Sequence, residues 1–192
     1  MDLNKTIKTR KSVRKFFDKK PNYRKIIKAI DNARYAPRAG NHFITKFILV
    51  KDENKIQKIS QACNQKFIKE AKYVVVVVSE DKMLTKLYDE RGERYARQQT
   101  GAAIENFLLS LVNQNLATCW VGAFVDEQVK TILNIPEDDN IKVEALFPIG
   151  KETKSKSQRK KPVERDLDDI LYFDKWNNKY MEPRTKLSMD AA

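Results

Sequence analysis

The sequence predicts a mixed α/β domain in which short strands alternate with amphipathic helices. Three observations predict it. The run Tyr73-Val74-Val75-Val76-Val77-Val78 is β-branched and has no polar alternation, so it reads as a strand buried on both faces. Apolar residues recur at helical spacing in Ile26, Ile27, Ile30 and Ala33, and over a wider arc in Ala102, Ala103, Ile104, Phe107, Leu108, Leu111 and Val112. Further apolar runs of strand length at 46–51, 117–121 and 142–149 lie between helical segments.

In chain order, a short helix at 3–9 leads into a basic segment. Asn22 can cap a helix that starts near Tyr23, and Pro37 and Gly40 end it. The strand 46–51 contains Phe47-Ile48-Leu49-Val50, and a helix follows over 52–63. The strand 73–78 precedes one long helix, 84–114, whose C-terminal half belongs in the core or in a subunit interface. A third strand spans 117–121. A short helix over 126–133 is closed by Asn134 and Pro136, and a fourth strand, 142–149, stops at Gly150. Residues 151–165 form a basic loop, 166–172 a short helix or turn, and the chain after Trp176 is polar. With no internal repeat and no Gly/Ser-rich linker, one domain is expected over 1–176 and a polar tail over 177–192.

Charge and absences narrow the function. Lys and Arg number 38 against 26 acids, a net charge of +12, which could serve nucleic acid or a phosphorylated ligand. The lysines are mostly interspersed with acids, which favours a solvated surface over a nucleic-acid face; the denser stretches are 8–20 and 151–165. The single histidine, His42, speaks against a His-based triad or a His-rich metal site. Cys63 and Cys119 have no metal-ligand spacing, and no Gly-rich phosphate loop is present. The N-terminus lacks the apolar stretch of a signal peptide and no run could span a bilayer, so a cytoplasmic location is expected. A chain this poor in acid/base and metal constellations borrows its chemistry from a cofactor or is not an enzyme.

Four segments could carry chemistry. In Arg10-Lys11-Ser12-Val13-Arg14, alternation in an extended stretch would point Arg10, Ser12 and Arg14 one way and turn Lys11 out, a set that suits phosphate. In Ala36-Pro37-Arg38-Ala39-Gly40-Asn41, small residues in a tight turn let backbone approach a flat ligand. Ala117-Thr118-Cys119-Trp120-Val121-Gly122-Ala123-Phe124 ends a strand with small residues that can aim main-chain donors at a ring; Cys119 reads as a packing residue. Phe147-Pro148-Ile149-Gly150 is followed by Gln158-Arg159-Lys160-Lys161-Pro162, more cations after a strand end. Each also has an ordinary reading: a solvated basic stretch, a helix-ending turn, a buried strand, a charged loop.

Taken together, in this order and over about residues 6–176, the four segments resemble the nitroreductase family. The family pattern opens with Arg-x-Ser-x-Arg and an aromatic, here completed by Phe16. It continues with an Ala-Pro-Ser-x-x-Asn turn, a Cys-Trp-x-Gly-like segment, a Pro-x-Gly strand end and a basic residue before a Pro. The resemblance implies an α+β sandwich, with a central mixed, largely antiparallel sheet flanked by helices, in an intertwined homodimer. It implies an FMN site at the subunit interface. Arg10, Lys11 and Ser12 would serve the phosphate and ribityl end, Arg14 the pyrimidine side, and Arg159 and Lys160 the rest of the phosphate clamp. Pro37, Arg38, Ala39 and Asn41 would come from the other subunit. Asn64 would sit beside the flavin, and Gly122, Pro148, Ile149 and Gly150 would line the ring.

The implied activity is FMN-dependent NAD(P)H oxidation, with NADH or NADPH as donor and nitroaromatics or quinones as acceptors, by ping-pong hydride transfer. Flavin N5 carries the chemistry, with support from Arg14 and Gly122. The alternatives are a related flavin enzyme, either a dehalogenase or a flavin-modifying enzyme, and a basic nucleic-acid-binding protein. This chain departs from the family pattern at Arg38, where Ser is usual, and at His42-Phe43-Ile44, where Gln-Pro-Trp often follows the Asn. It also has no long insertion to form a substrate lid.

Overall fold

The valine run becomes a central strand. In the computed structural model, which describes residues 2–153 and 165–181, β2 (Tyr73–Glu80) lies between β1 (Thr45–Val50) and β4 (Ile141–Gly150). On the far side of β4 stands β3 (Ala117–Thr118), and all three pairings are antiparallel. Among the described residues one parallel bridge, Ser12 with Thr118, adds the mixed character that the family resemblance implies.

The absence of alternation in β2 has a direct cause: helices cover both faces. Val75 and Val77 pack against Ile26, Ala29 and Ala33 of α2 (Tyr23–Ala33) and Phe107 and Leu111 of α5 (Arg91–Asn113). Val74, Val76 and Val78 pack against Ile56 and Ile59 of α3 (Glu53–Ala62) and Val129 of α6 (Asp126–Leu133). Full burial of each such side chain contributes about 1.5–3 kcal/mol relative to leaving it in water. Between Val77 and Val78 the register with β4 slips, leaving Glu144 as the extra residue. Its carboxylate accepts from the Ser79 hydroxyl at 2.6 Å and from Arg97 at 3.2 Å.

Asn22 and Asn134 cap helices where the sequence places them, and Asp2 and Asp52 add caps that it did not single out. Asn22 accepts from the Arg24 N–H, Asp52 from the Lys55 N–H, and Asn134 closes α6 at φ 54°. Asp2 caps the short α1 (Leu3–Thr9).

Three expectations need correction. The single helix over 84–114 is two, α4 (Lys82–Tyr88) and α5, because Asp89 takes φ 48°, ψ −132°, far from helical backbone. The third strand is only two residues long, with Val121 returning to the sheet by one bridge to Leu146. A short 3-10 turn at Lys66–Glu70 falls where no element was expected, whereas that at Ala39–Asn41 lies within the expected turn.

The break at Asp89 lets α5 lean on α4. A Cβ on Gly92 would lie 2.5 Å from the Thr85 amide nitrogen and 2.6 Å from the Leu84 backbone. Gly92→Ala is therefore expected to destabilise the fold by about 1–3 kcal/mol. A thermal melt should show a loss of roughly 2–10 °C; an unchanged Tm would mean that the two helices separate freely.

The chain divides into two compact units, Met1–Lys154 and Ser155–Ala192. Everything above belongs to the first. The described part of the second holds a 3-10 turn, Leu167–Asp169, whose preceding Asp166 accepts from the Asp168 N–H. Its Tyr172 and Trp176 rings meet edge-on at 4.9 Å, and the Lys179 ammonium lies 4.5 Å from the Tyr172 ring centre.

Candidate functional site

The basic segment after α1 is fixed by its apolar residues. Val13 and Phe16 are buried with Ala71, which turns the polar side chains between them outward. On one flank the Val13 N–H donates to the Thr118 carbonyl at 2.8 Å. On the other flank the Phe17 N–H donates to the Lys151 carbonyl at 2.8 Å, and Phe16 bridges to Glu152. Gly150 makes the second contact possible, since a Cβ there would stand 2.7 Å from the Phe16 ring. The segment is thus wedged between β3 and the chain leaving β4.

This wedge forms one wall of a cavity of about 770 Å³, within the range of about 300–1,000 Å³ usual for small-molecule sites. Its polar lining comprises Arg10, Lys11, Ser12 and Lys151, together with the carboxylates Glu105 and Glu152. Leu108, Val112 and Leu116 supply an apolar wall, and Trp120 closes it with an indole 44% exposed and packed edge-on against Phe147. Lys11 Nζ lies 2.9 Å from Glu152 Oε2. Thr118 also lines the cavity, and its Oγ1 is buried without a hydrogen-bond partner among the described residues. Such a hydroxyl costs about 1–3 kcal/mol if left unmade, so it marks a place where a polar ligand atom fits.

The expected alternation does not hold. Lys11 lines the cavity beside Arg10 and Ser12, while Arg14 lies over the Phe67 ring, 5.8 Å from its centre. The segment makes isolated bridges rather than a regular strand, so a two-residue period does not run through it.

The other expected residues are distributed. Pro37, Arg38 and Asn41 are exposed, Ala39 is half-buried, and none of them lines this cavity. Asn41 has φ 60°, and exposed Asn64 has φ 49° just beyond α3. Pro148, Ile149 and Gly150 are buried within β4. Gly122 lines a separate depression of about 540 Å³ with Arg97, Lys142 and Glu144. Near it, hydrogen bonds from Arg97, then from Lys142, hold the Glu93 carboxyl below the usual range. Arg159 and Lys160 lie outside the described residues.

Against known proteins, the profile of the nitroreductase family matches residues 7–70 and 53–151. The chain belongs to the nitroreductase family. It is similar to a provisionally named NADH dehydrogenase/NAD(P)H nitroreductase of Archaeoglobus fulgidus, 29% identical over 177 residues, covering 90% of this chain and 97% of that protein. A crystal structure of a nitroreductase family protein from Clostridium novyi NT superposes with a TM-score of 0.73 at 30% identity, covering 93% of this chain and 96% of that one. A crystal structure of oxidized iodotyrosine deiodinase bound to FMN and 3-iodo-L-tyrosine shares the fold at a TM-score of 0.77 and 21% identity, covering 91% of this chain and all of that one.

Of the cavity residues, sequence reasoning gave no site role to the α5 set Glu105, Leu108 and Val112, and it placed Thr118 and Trp120 only within the segment 117–124 and Lys151 and Glu152 only within the basic loop. The α5 set had a signal in its i, i+3, i+7 spacing, which places it on one helical face. Among the described residues no helix is long and apolar enough to cross a membrane, and no group of three or more His, Cys, Asp or Glu could hold a metal ion.

Cys63 and Cys119 are buried free thiols. Burial pushes the Cys63 thiol up to about 11, so at pH 8 its thiolate fraction is below that of an ordinary cysteine by roughly two orders of magnitude. Iodoacetamide at pH 8 should leave Cys63 unmodified in the native protein and label it after denaturation, as read by mass spectrometry. Rapid native labelling would contradict the buried placement.

Proposed function

We propose that the chain is an FMN-dependent NAD(P)H oxidoreductase that reduces small electron-poor acceptors such as nitroaromatics or quinones, acting as a homodimer with its FMN sites at the subunit interface. The observation that carries this reading is the cavity in which Arg10, Lys11 and Ser12 meet Trp120 and the unpaired Thr118 hydroxyl. That set fits a ligand with an anionic phosphate, a polyhydroxylated chain and an aromatic ring system. The family relatives named for NAD(P)H, and the fold neighbour bound to FMN, agree with it.

Bound FMN would supply the hydride chemistry, accepting from NADH or NADPH and donating to the acceptor in two successive half-reactions. The protein supplies position and charge. Arg10 and Ser12 would hold the phosphate end by charge-assisted hydrogen bonds, joined by Lys11. The Thr118 hydroxyl, without a partner among the described residues, would be available to a polar atom of the ligand. Arg14 offsets negative charge on the pyrimidine side, with Asn64 nearby. Trp120 would shape the ring end within the cavity, and Gly122 and the Pro148 to Gly150 backbone would serve the ring from outside it. The turn from Pro37 through Arg38 and Ala39 to Asn41 is exposed in the single chain, and it serves the site of the partner subunit.

The purified protein should be yellow, with absorbance near roughly 450 nm that denaturation releases, and should have the solution mass of two chains. A colourless protein that takes up no added FMN would sink the proposal. The likeness to iodotyrosine deiodinase gives a second reading, reductive dehalogenation. Iodide release from an iodinated phenol by the reduced protein, without nitroaromatic turnover, would favour it.

A further inference from the structure

The cavity that the proposed function assigns to phosphate is not uniformly basic. Arg10, Lys11 and Lys151 line it together with Glu105 and Glu152. Of these, Lys11 and Glu152 are joined at 2.9 Å. The glutamate is the better fixed partner: its side chain is 24% exposed against 45% for Lys11, and its backbone is bridged to buried Phe16. A carboxylate therefore stands at a set position inside a site for a dianion, bound to one of the cations the dianion needs.

We infer that Glu152 is a built-in competitor for the ligand phosphate: it pairs with Lys11 and yields it when phosphate arrives. The inference rests on the FMN reading above. A half-exposed ion pair is worth little net, about 0–1 kcal/mol, so the exchange has a low cost. A phosphate carries close to two negative charges at neutral pH, so it outbids one carboxylate for the same ammonium. The pair also keeps Lys11 from extending into solvent, so the cation is already in place when phosphate enters. Glu152 thus lowers affinity for FMN while leaving riboflavin, which has no phosphate, unaffected. The glutamate sets how strongly the site prefers the phosphorylated flavin.

The test is the quenching of flavin fluorescence by apoprotein, titrated with FMN and with riboflavin. Glu152→Gln should bind FMN about three- to tenfold more tightly at low salt and riboflavin as before, with the gain shrinking as salt screens the charges. Lys11→Gln should weaken FMN without changing riboflavin. In the Lys11→Gln background, Glu152→Gln should gain less than it does alone, because Lys11 is no longer there to be released. Equal gains in the two backgrounds would reduce Glu152 to plain repulsion and overturn the exchange. An unchanged FMN to riboflavin ratio in Glu152→Gln would overturn any role for this residue, as would a change in both flavins together. Should Glu152→Gln not fold, the Lys11→Gln titration decides alone: equal loss of both flavins overturns the inference. Failure of the unaltered protein to bind FMN at all is a different result, and it removes the FMN reading beneath the inference.

Discussion

Arg10→Ala is expected to weaken FMN binding by about ten- to a hundredfold, the range of a lost charge-assisted hydrogen bond. Arg10 is chosen over its neighbour because the two cations differ in state. Lys11 is engaged by Glu152 at 2.9 Å, whereas the Arg10 guanidinium forms no ion pair among the described residues and borders the cavity directly. Its main-chain N–H already closes α1 on the Thr6 and Ile7 carbonyls, so the backbone stays fixed when the side chain is removed. Riboflavin titrated alongside FMN separates phosphate recognition from damage to the ring end. Riboflavin affinity and Tm should change little. An unaltered FMN affinity would remove Arg10 from the phosphate site.

Phe107→Ala is expected to cost about 3–5 kcal/mol of folding stability, measured by urea unfolding. Phe107 is fully buried in the layer between the sheet and α2. Its ring lies 5.8 Å from that of Phe47 and 5.6 Å from that of Phe147, and Phe147 in turn lies 5.5 Å from Trp120. Truncation leaves a void at the centre of this row, and Phe147 is the support on which the cavity-lining Trp120 rests. A change in tryptophan emission of the folded protein should accompany the lost stability. A cost below about 1 kcal/mol would mean that the layer collapses around the gap without penalty.

Legibility in the sequence followed the range of the interactions. The strand 73–78 was readable because burial on both faces leaves no polar residue in the run, and the caps Asn22 and Asn134 because capping is local. The helix break at Asp89 was not readable. Both flanks favour helix, and the break shows only in the Asp89 backbone and in the close approach of Gly92 to α4. The site divided in the same way. Arg10 and Ser12 stood out as residue types grouped in sequence. Thr118, Trp120 and Glu152 did not, since they reach the cavity only through the pairing of residues 12–17 with two distant segments.

That pairing also governs when the pocket can exist. The basic segment leaves the ribosome first, the Thr118 flank follows much later, and the Lys151 flank later still. A nascent chain carries the cations long before it carries the walls that arrange them, so a loose cationic arm precedes any receptor for flavin. Contacts so distant in sequence close late, and capture of the cofactor becomes a checkpoint on completion of the sheet. A chain broken off before Lys151 keeps every residue of the opening motif and its Thr118 flank, and lacks the second flank that completes the wedge.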